Sequence, residues 1–166
     1  GMPTGFEKLD KMANGWQKSD RIISAARPSM GKTAFALSMV KRMAVDYRIP
    51  VAVFSLEMSN QQLGLRLLVN VTEISGEKLR SGQLLPHEWE QLDMRSRQLA
   101  GAPIFLDDTP QLTNFELRTK ARRLVREHNV KAIIIDYLQL MHAKGLNINS
   151  RQEEVAAVSQ SLKGLA

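Results

Sequence analysis

Cysteine is absent from the 166 residues, which excludes a disulfide framework and a thiolate metal site and fits a reducing compartment. No uninterrupted apolar run approaches the length of a membrane span, and the first residues, Gly1 to Glu7, lack the apolar core of a signal peptide. The expectation is a cytoplasmic protein with no membrane partner. Internal repeats and low-complexity segments are also missing. Negative charge is in deficit: Lys plus Arg number 23 against 17 Asp plus Glu, for a net charge of +6 and a pI near 9.8. That balance favours polyanionic partners such as nucleotides and nucleic acid. With 43% apolar and 24% charged residues, residues 1–166 suit one globular domain large enough for a real core.

The most informative stretch is 20–37. A short apolar run, 21–25, reads as a buried strand, a turn holding Pro28 and Gly31 follows, and Phe35, Leu37, Met39, Val40 and Met43 then recur at helical spacing. Strand, tight turn and helix are the context of a phosphate-binding loop, in which backbone N–H groups point at the anion. In this arrangement Lys32 supplies a mobile charge to the outer phosphates and the Thr33 hydroxyl faces the magnesium that bridges them. The candidate nucleotide cradle is Ala26, Arg27, Pro28, Ser29, Met30, Gly31, Lys32, Thr33 and Ala34. Ala26 stands where the general pattern G-x-x-x-x-G-K-[ST] has its first glycine, and its Cβ restricts positive φ. The competing reading is an ordinary loop with Gly31 as a turn residue and Lys32 as a solvated charge.

The rest of the chain alternates strand and helix. Thr4 stands three residues before Glu7 as a cap for a helix over 4–14 with Phe6, Leu9 and Met12 on one face, closed by Gly15. The helix after the phosphate loop runs to about 47, and 51–55 is a short apolar strand. Ser59 and Gln62 have capping-box spacing ahead of Leu63, Leu65, Leu67, Leu68 and Val71, which predicts a helix to about 72. A short helix over 75–81 stops at Gly82. Pro86 suits the first turn of another, with a buried stripe of Trp89, Leu92 and Leu99 and an end near Gly101. Residues 103–107 read as a strand, and Thr113 with Glu116 as a second capping box before Leu117, Ala121, Leu124 and Val125, ending near Asn129. The run 131–136 is apolar through its middle, as a strand buried on both faces of a parallel sheet is. A polar loop over 143–150 and a last helical pattern, Val155, Val158 and Leu162, complete the chain. Such alternation implies an α/β fold with a mostly parallel sheet flanked by helices, its ligands at the strands' carboxyl ends.

Two carboxylates fall at those ends. Asp136 closes an apolar strand and is placed to hold magnesium opposite Thr33. Glu57 lies just past a neighbouring strand and is placed to orient and deprotonate an attacking water. The plainer alternatives are a strand-end acid capping a turn and an acid in the first turn of a helix. Arg118, Lys120, Arg122, Arg123 and Arg126 crowd one helix with no aromatic residue interleaved, so a solvated or subunit-facing surface is expected there.

Ala-Ala-Arg-Pro-Ser-Met-Gly-Lys-Thr (25–33), Phe-Ser-Leu-Glu-Met (54–58) and Ile-Asp-Tyr-Leu-Gln-Leu-Met (135–141), in that order, resemble the RecA-like motor domain of DnaB-family replicative DNA helicases. The likeness extends over essentially the whole chain, and Ala26 is usual in that family. It implies a RecA-like P-loop NTPase core that uses ATP and Mg2+, with Glu57 and Lys32 catalytic and Thr33 and Asp136 at the metal. Single-stranded DNA, a homo-hexameric ring in the full-length protein, and primase and helicase-loader partners follow as implications. Gln139 matches the family pattern, and the loop over 143–151 falls where such helicases face their central channel. The role of Arg27 stays open. The resemblance also implies that the C-terminal part of the motor domain, with its arginine finger, lies beyond Ala166. Two further readings stand beside the helicase: a recombinase or clock-type ATPase on the same core, and a nucleotide-binding assembly module without turnover of its own.

Overall fold

The computed structural model describes residues 2–3, 7–13, 32–55 and 58–136. The strand expected at 21–25 and everything expected after 136 lie outside the described residues, as does the Thr4 cap. What is described begins with α1 (Glu7–Ala13), held by an exposed Lys11–Glu7 pair at 2.6 Å. Met12, one residue of the apolar stripe expected there, is 86% exposed. Helix α2 (Lys32–Val40) passes directly into a π-helical segment (Lys41–Asp46), where Tyr47 N–H reaches back to Arg42 O at 3.1 Å. The widened turns still bury Met43 and Ala44.

Strands β1 (Val51–Ser55), β2 (Ile104–Asp107) and β3 (Ala132–Asp136) form a parallel sheet in the order β2-β1-β3. Every residue of β1 is buried, because it is paired on both sides and covered on both faces. Side chains alternate across a strand. Val51 and Val53 accordingly pack with Leu37, Val40, Met43, Leu63 and Leu67, while Ala52 and Phe54 pack with Leu112, Leu117 and Ala121. The sheet is thus the middle of three layers, with α2 and α3 (Asn60–Thr72) on one face and α6 (Asn114–His128) on the other. Strand β3 departs from expectation: Ala132 to Ile135 are half-buried. A groove of about 140 Å³, lined by Ala121, Arg122, Val125, Arg126 and Ile133, opens between it and α6 and thins the cover on that face.

The connecting helices follow their local signals. Ser59 and Gln62 form the capping box of α3, and Thr113 and Glu116 that of α6. α4 (Gly76–Ser81) ends at Gly82, whose φ of 71° is the left-handed conformation that glycine adopts without a Cβ penalty. α5 (Pro86–Ala100) has its proline in the first turn, as expected. Its stripe does not match the prediction. Leu92 and Leu99 are half-buried, but Trp89 is 50% exposed. Val125 on α6, which lines the groove beside β3, is likewise exposed.

Candidate active site

The parallel strands end together, and the polar residues at their carboxyl ends form one edge of the sheet. Ser55 of β1 is in register with Asp136 of β3, and Phe54 with Asp107 of β2. The first turn of α2 meets this edge: Thr33 Oγ1 donates to Asp136 Oδ2 at 3.3 Å, across 103 residues of sequence. Asp136 is 7% exposed, and among the described residues no cation pairs with it. A buried carboxylate accepting from a hydroxyl is a pair of hard oxygens of the kind that suits a bound cation. Hard oxygens in small number fit Mg2+, which keeps several of its waters and takes few protein ligands. Among the described residues no cluster of three or more His, Cys, Asp or Glu could hold a metal ion. Among the described residues α2 starts at Lys32, one residue before Thr33, and a helix start is a favourable place for an anion.

Toward β2 the edge carries a second polar cluster. Lys120 Nζ of α6 lies 2.8 Å from Asp107 Oδ2 and 2.8 Å from Thr109 Oγ1, and Thr109 N–H donates to Asp107 Oδ1 at 2.9 Å. Partial burial pushes the Asp107 carboxyl upward, but the hydrogen bonds from Lys120 and Thr109 outweigh it and hold the group below its ordinary value. A carboxyl with a lowered folded-state pKa contributes stability that is complete above its unfolded value, about 3.9, and is lost as pH falls through the lowered folded value. Lys120→Met is therefore expected to lower stability at neutral pH by about 1 kcal/mol or less, because the pair is partly exposed. Thermal melts of both forms from pH 7 downward should converge once Asp107 is protonated. A gap that persists unchanged into strong acid would rule out the ion pair as its source.

The DnaB-like helicase C terminal domain model matches residues 1–166. The chain belongs to that family. It is 48% identical to the replicative DNA helicase DnaB of Geobacillus stearothermophilus over 166 residues, all of this chain but 37% of that protein. It also superposes on a solved DnaB-like replicative helicase, described with its interactions with primase, at a TM-score of 0.90. There the identity is 32%, over 99% of this chain and 40% of the other. A solved ATPase domain matches equally well, at TM-score 0.90 and 32% identity over 99% of this chain and 59% of the other. The chain thus spans between 37% and 59% of the length of these relatives. Their likeness makes this α/β sheet a RecA-like core.

Within this DnaB-family domain the expected site residues divide by position. Thr33 and Asp136, chosen as metal residues, are brought together. Lys32 opens α2, and Ala34 is exposed in its first turn. Ala26, Arg27, Pro28, Ser29, Met30, Gly31 and Glu57 lie outside the described residues, as do Gln139 and the loop over 143–151. The basic helix, expected as a solvated or subunit-facing surface, is exposed only in part. Arg122, Arg123 and Arg126 are exposed, with Arg123 paired to Glu127 at 3.1 Å, but Lys120 and Arg118 are half-buried and Lys120 is committed to Asp107. Sequence reading missed Ser55, Asn60, Asp107 and Asp108. The signal was present: a polar residue ending the apolar run 51–54, and paired acids ending 104–106.

Proposed function

We propose that this chain is the ATP-hydrolysing motor of a replicative DNA helicase, and that residues 1–166 form one nucleotide-binding domain of it. The Thr33–Asp136 contact carries the reading, because it brings the hydroxyl of a phosphate-loop motif to the acid of an apolar strand. Mg2+ held there with ATP would supply charge neutralisation to the transferring phosphoryl group. The chain's own residues do the positioning. The 26–34 loop and the start of α2 hold phosphate oxygens, Lys32 places its ammonium on the outer phosphates, and Thr33 and Asp136 fix the metal's face. Glu57 orients the attacking water and takes its proton. The basic balance and the 143–151 loop, with Lys144 and Arg151, suit phosphate-dominated contacts to single-stranded DNA. In the full-length protein the domain works as a homo-hexamer in the cytoplasm, with primase and a loader as partners, as the family likeness supports.

The decisive measurement is Mg-ATP turnover by the full-length protein with and without single-stranded DNA, beside thermal melts with Mg-ADP. Turnover is expected to rise with DNA. Saturating nucleotide at about a hundred times its Kd should stabilise the fold by about 2.7 kcal/mol, and Lys32→Ala should lose most of that shift. Nucleotide stabilisation without any turnover would favour the assembly module instead. An equal shift in Lys32→Ala would remove the phosphate-loop assignment.

A further inference from the structure

The carboxyl ends of β1 and β3 carry more polar chemistry than Asp136 alone. Side chains of a strand alternate between the two faces of the sheet, and Val51 and Val53 of β1 pack on the α2 side together with Ala132 and Ile134 of β3. Two residues on, Ser55 and Asp136 are in register and project from that same face, the one on which α2 brings Thr33 to Asp136. Neighbouring strands run about 4.8 Å apart. Two hydroxyls and a carboxylate therefore meet at one corner of the sheet edge. The fold does not use up Ser55. Its side chain is 1% exposed, and its oxygen accepts the Met58 N–H at 3.0 Å. A hydroxyl offers one proton and two lone pairs, so among the described residues one lone pair and the proton have no partner. Buried polar groups ordinarily fill their hydrogen-bonding capacity, and a serine kept only to cap the turn after β1 would leave most of it unfilled.

We propose that Ser55 is a positioning residue of the metal site, accepting on its remaining lone pair a hydrogen bond from a water of the Mg2+ shell and so holding that water beside Asp136. The inference rests on the motor reading above, in which Thr33 and Asp136 fix the metal's face. Mg2+ suits such a partner, because it keeps several of its waters and takes few protein ligands. A metal-bound water donates its hydrogens, and an acceptor as buried as Ser55 takes one without competition from bulk solvent. Groups that act on a metal through its ligands and waters are worth about 10–100-fold in metal affinity or activity. Ser55 touches neither the metal nor the nucleotide in this scheme.

In the full-length protein, binding of a fluorescent ADP analogue would be titrated with Mg2+ and repeated in excess EDTA, with thermal melts to confirm that each form is folded. Ser55→Ala is expected to raise about tenfold the Mg2+ concentration that gives half of the metal-dependent tightening, while affinity in EDTA stays within about twofold of the parent. Loss of a turn cap alone would not move that midpoint. Asp136→Asn should lose the metal-dependent tightening, and adding Ser55→Ala to it should change ADP binding by less than about twofold at every Mg2+ concentration, because the two changes act on one metal shell. An unchanged midpoint in Ser55→Ala, or equal weakening with and without Mg2+, would overturn the role of Ser55 and leave the motor reading intact. A further tenfold loss in the Asp136→Asn background would do the same. A parent-like midpoint in Asp136→Asn would overturn the metal assignment of Asp136, and this proposal with it.

Discussion

Asp136→Asn should lower ATP turnover by about two to three orders of magnitude while leaving the fold in place. The size follows from the role proposed for the carboxylate at the metal: charge stabilisation of a phosphoryl transition state is worth several kcal/mol, and each 1.36 kcal/mol is about a tenfold change. The geometry isolates that charge. Thr33 Oγ1 donates to Asp136 Oδ2 at 3.3 Å, and an amide oxygen accepts the same bond, so the first turn of α2 keeps its attachment to β3. Asp136 is 7% exposed, and neutralising a buried carboxylate relieves desolvation. The nucleotide-free variant should therefore melt no lower than the parent, and the stabilisation by Mg-ADP over ADP alone should disappear. Melts and single-turnover hydrolysis, with Mg2+ titrated in each, distinguish the outcomes. If the variant keeps its Mg2+-dependent shift and its rate, the metal is held elsewhere and Asp136 only caps the strand end.

The Thr33–Asp136 contact was legible in the sequence although the residues are far apart, because each carries its own local context: a lysine-threonine pair opening a helix and an acid ending an apolar run. Capping boxes were legible for a similar reason, since Ser59 with Gln62 and Thr113 with Glu116 act within one turn. The tie between the start of α3 and the end of β2 was not. Asp108 meets Asn60 because β2 is the neighbour of β1, and nothing in either stretch states that strand order. Lys120 reads as one cation among several on its helix until β2 places Asp107 and Thr109 beside it.

Periodicity likewise shows which residues share a face but not whether another element covers it. Trp89 and Val125 follow their helical stripes and remain exposed, and Met12 does so on α1. The π-helical segment from Lys41 to Asp46 has no proline or glycine to announce it. One added residue in the turn changes the phase of the helix at a point where Met43 and Ala44 must still meet the core, and packing rather than local preference decides that phase.

Because cover and not size sets the energy of an apolar side chain, Phe54→Ala is expected to destabilise the chain far more than Trp89→Ala. Phe54 is 1% exposed at the centre of the sheet, beside Ile135 of β3 and Asp107 of β2, and its ring fills the layer shared with Leu112, Leu117 and Ala121. Truncation there removes the transfer energy of the ring and leaves a cavity that a strand paired on both sides cannot close, for a loss of about 3–5 kcal/mol. Against a total of roughly 5–15 kcal/mol for a typical domain, that is enough to leave the protein marginal at 37 °C. Trp89 is larger but 50% exposed on α5, so much of its ring meets water in either state and a loss of about 1 kcal/mol is expected. Urea unfolding of the parent and both variants, followed by circular dichroism, gives the two differences directly. Similar losses at the two positions would mean that Trp89 is covered in solution by a part of the protein that packs on α5, and the layer assignment of that helix would need revision.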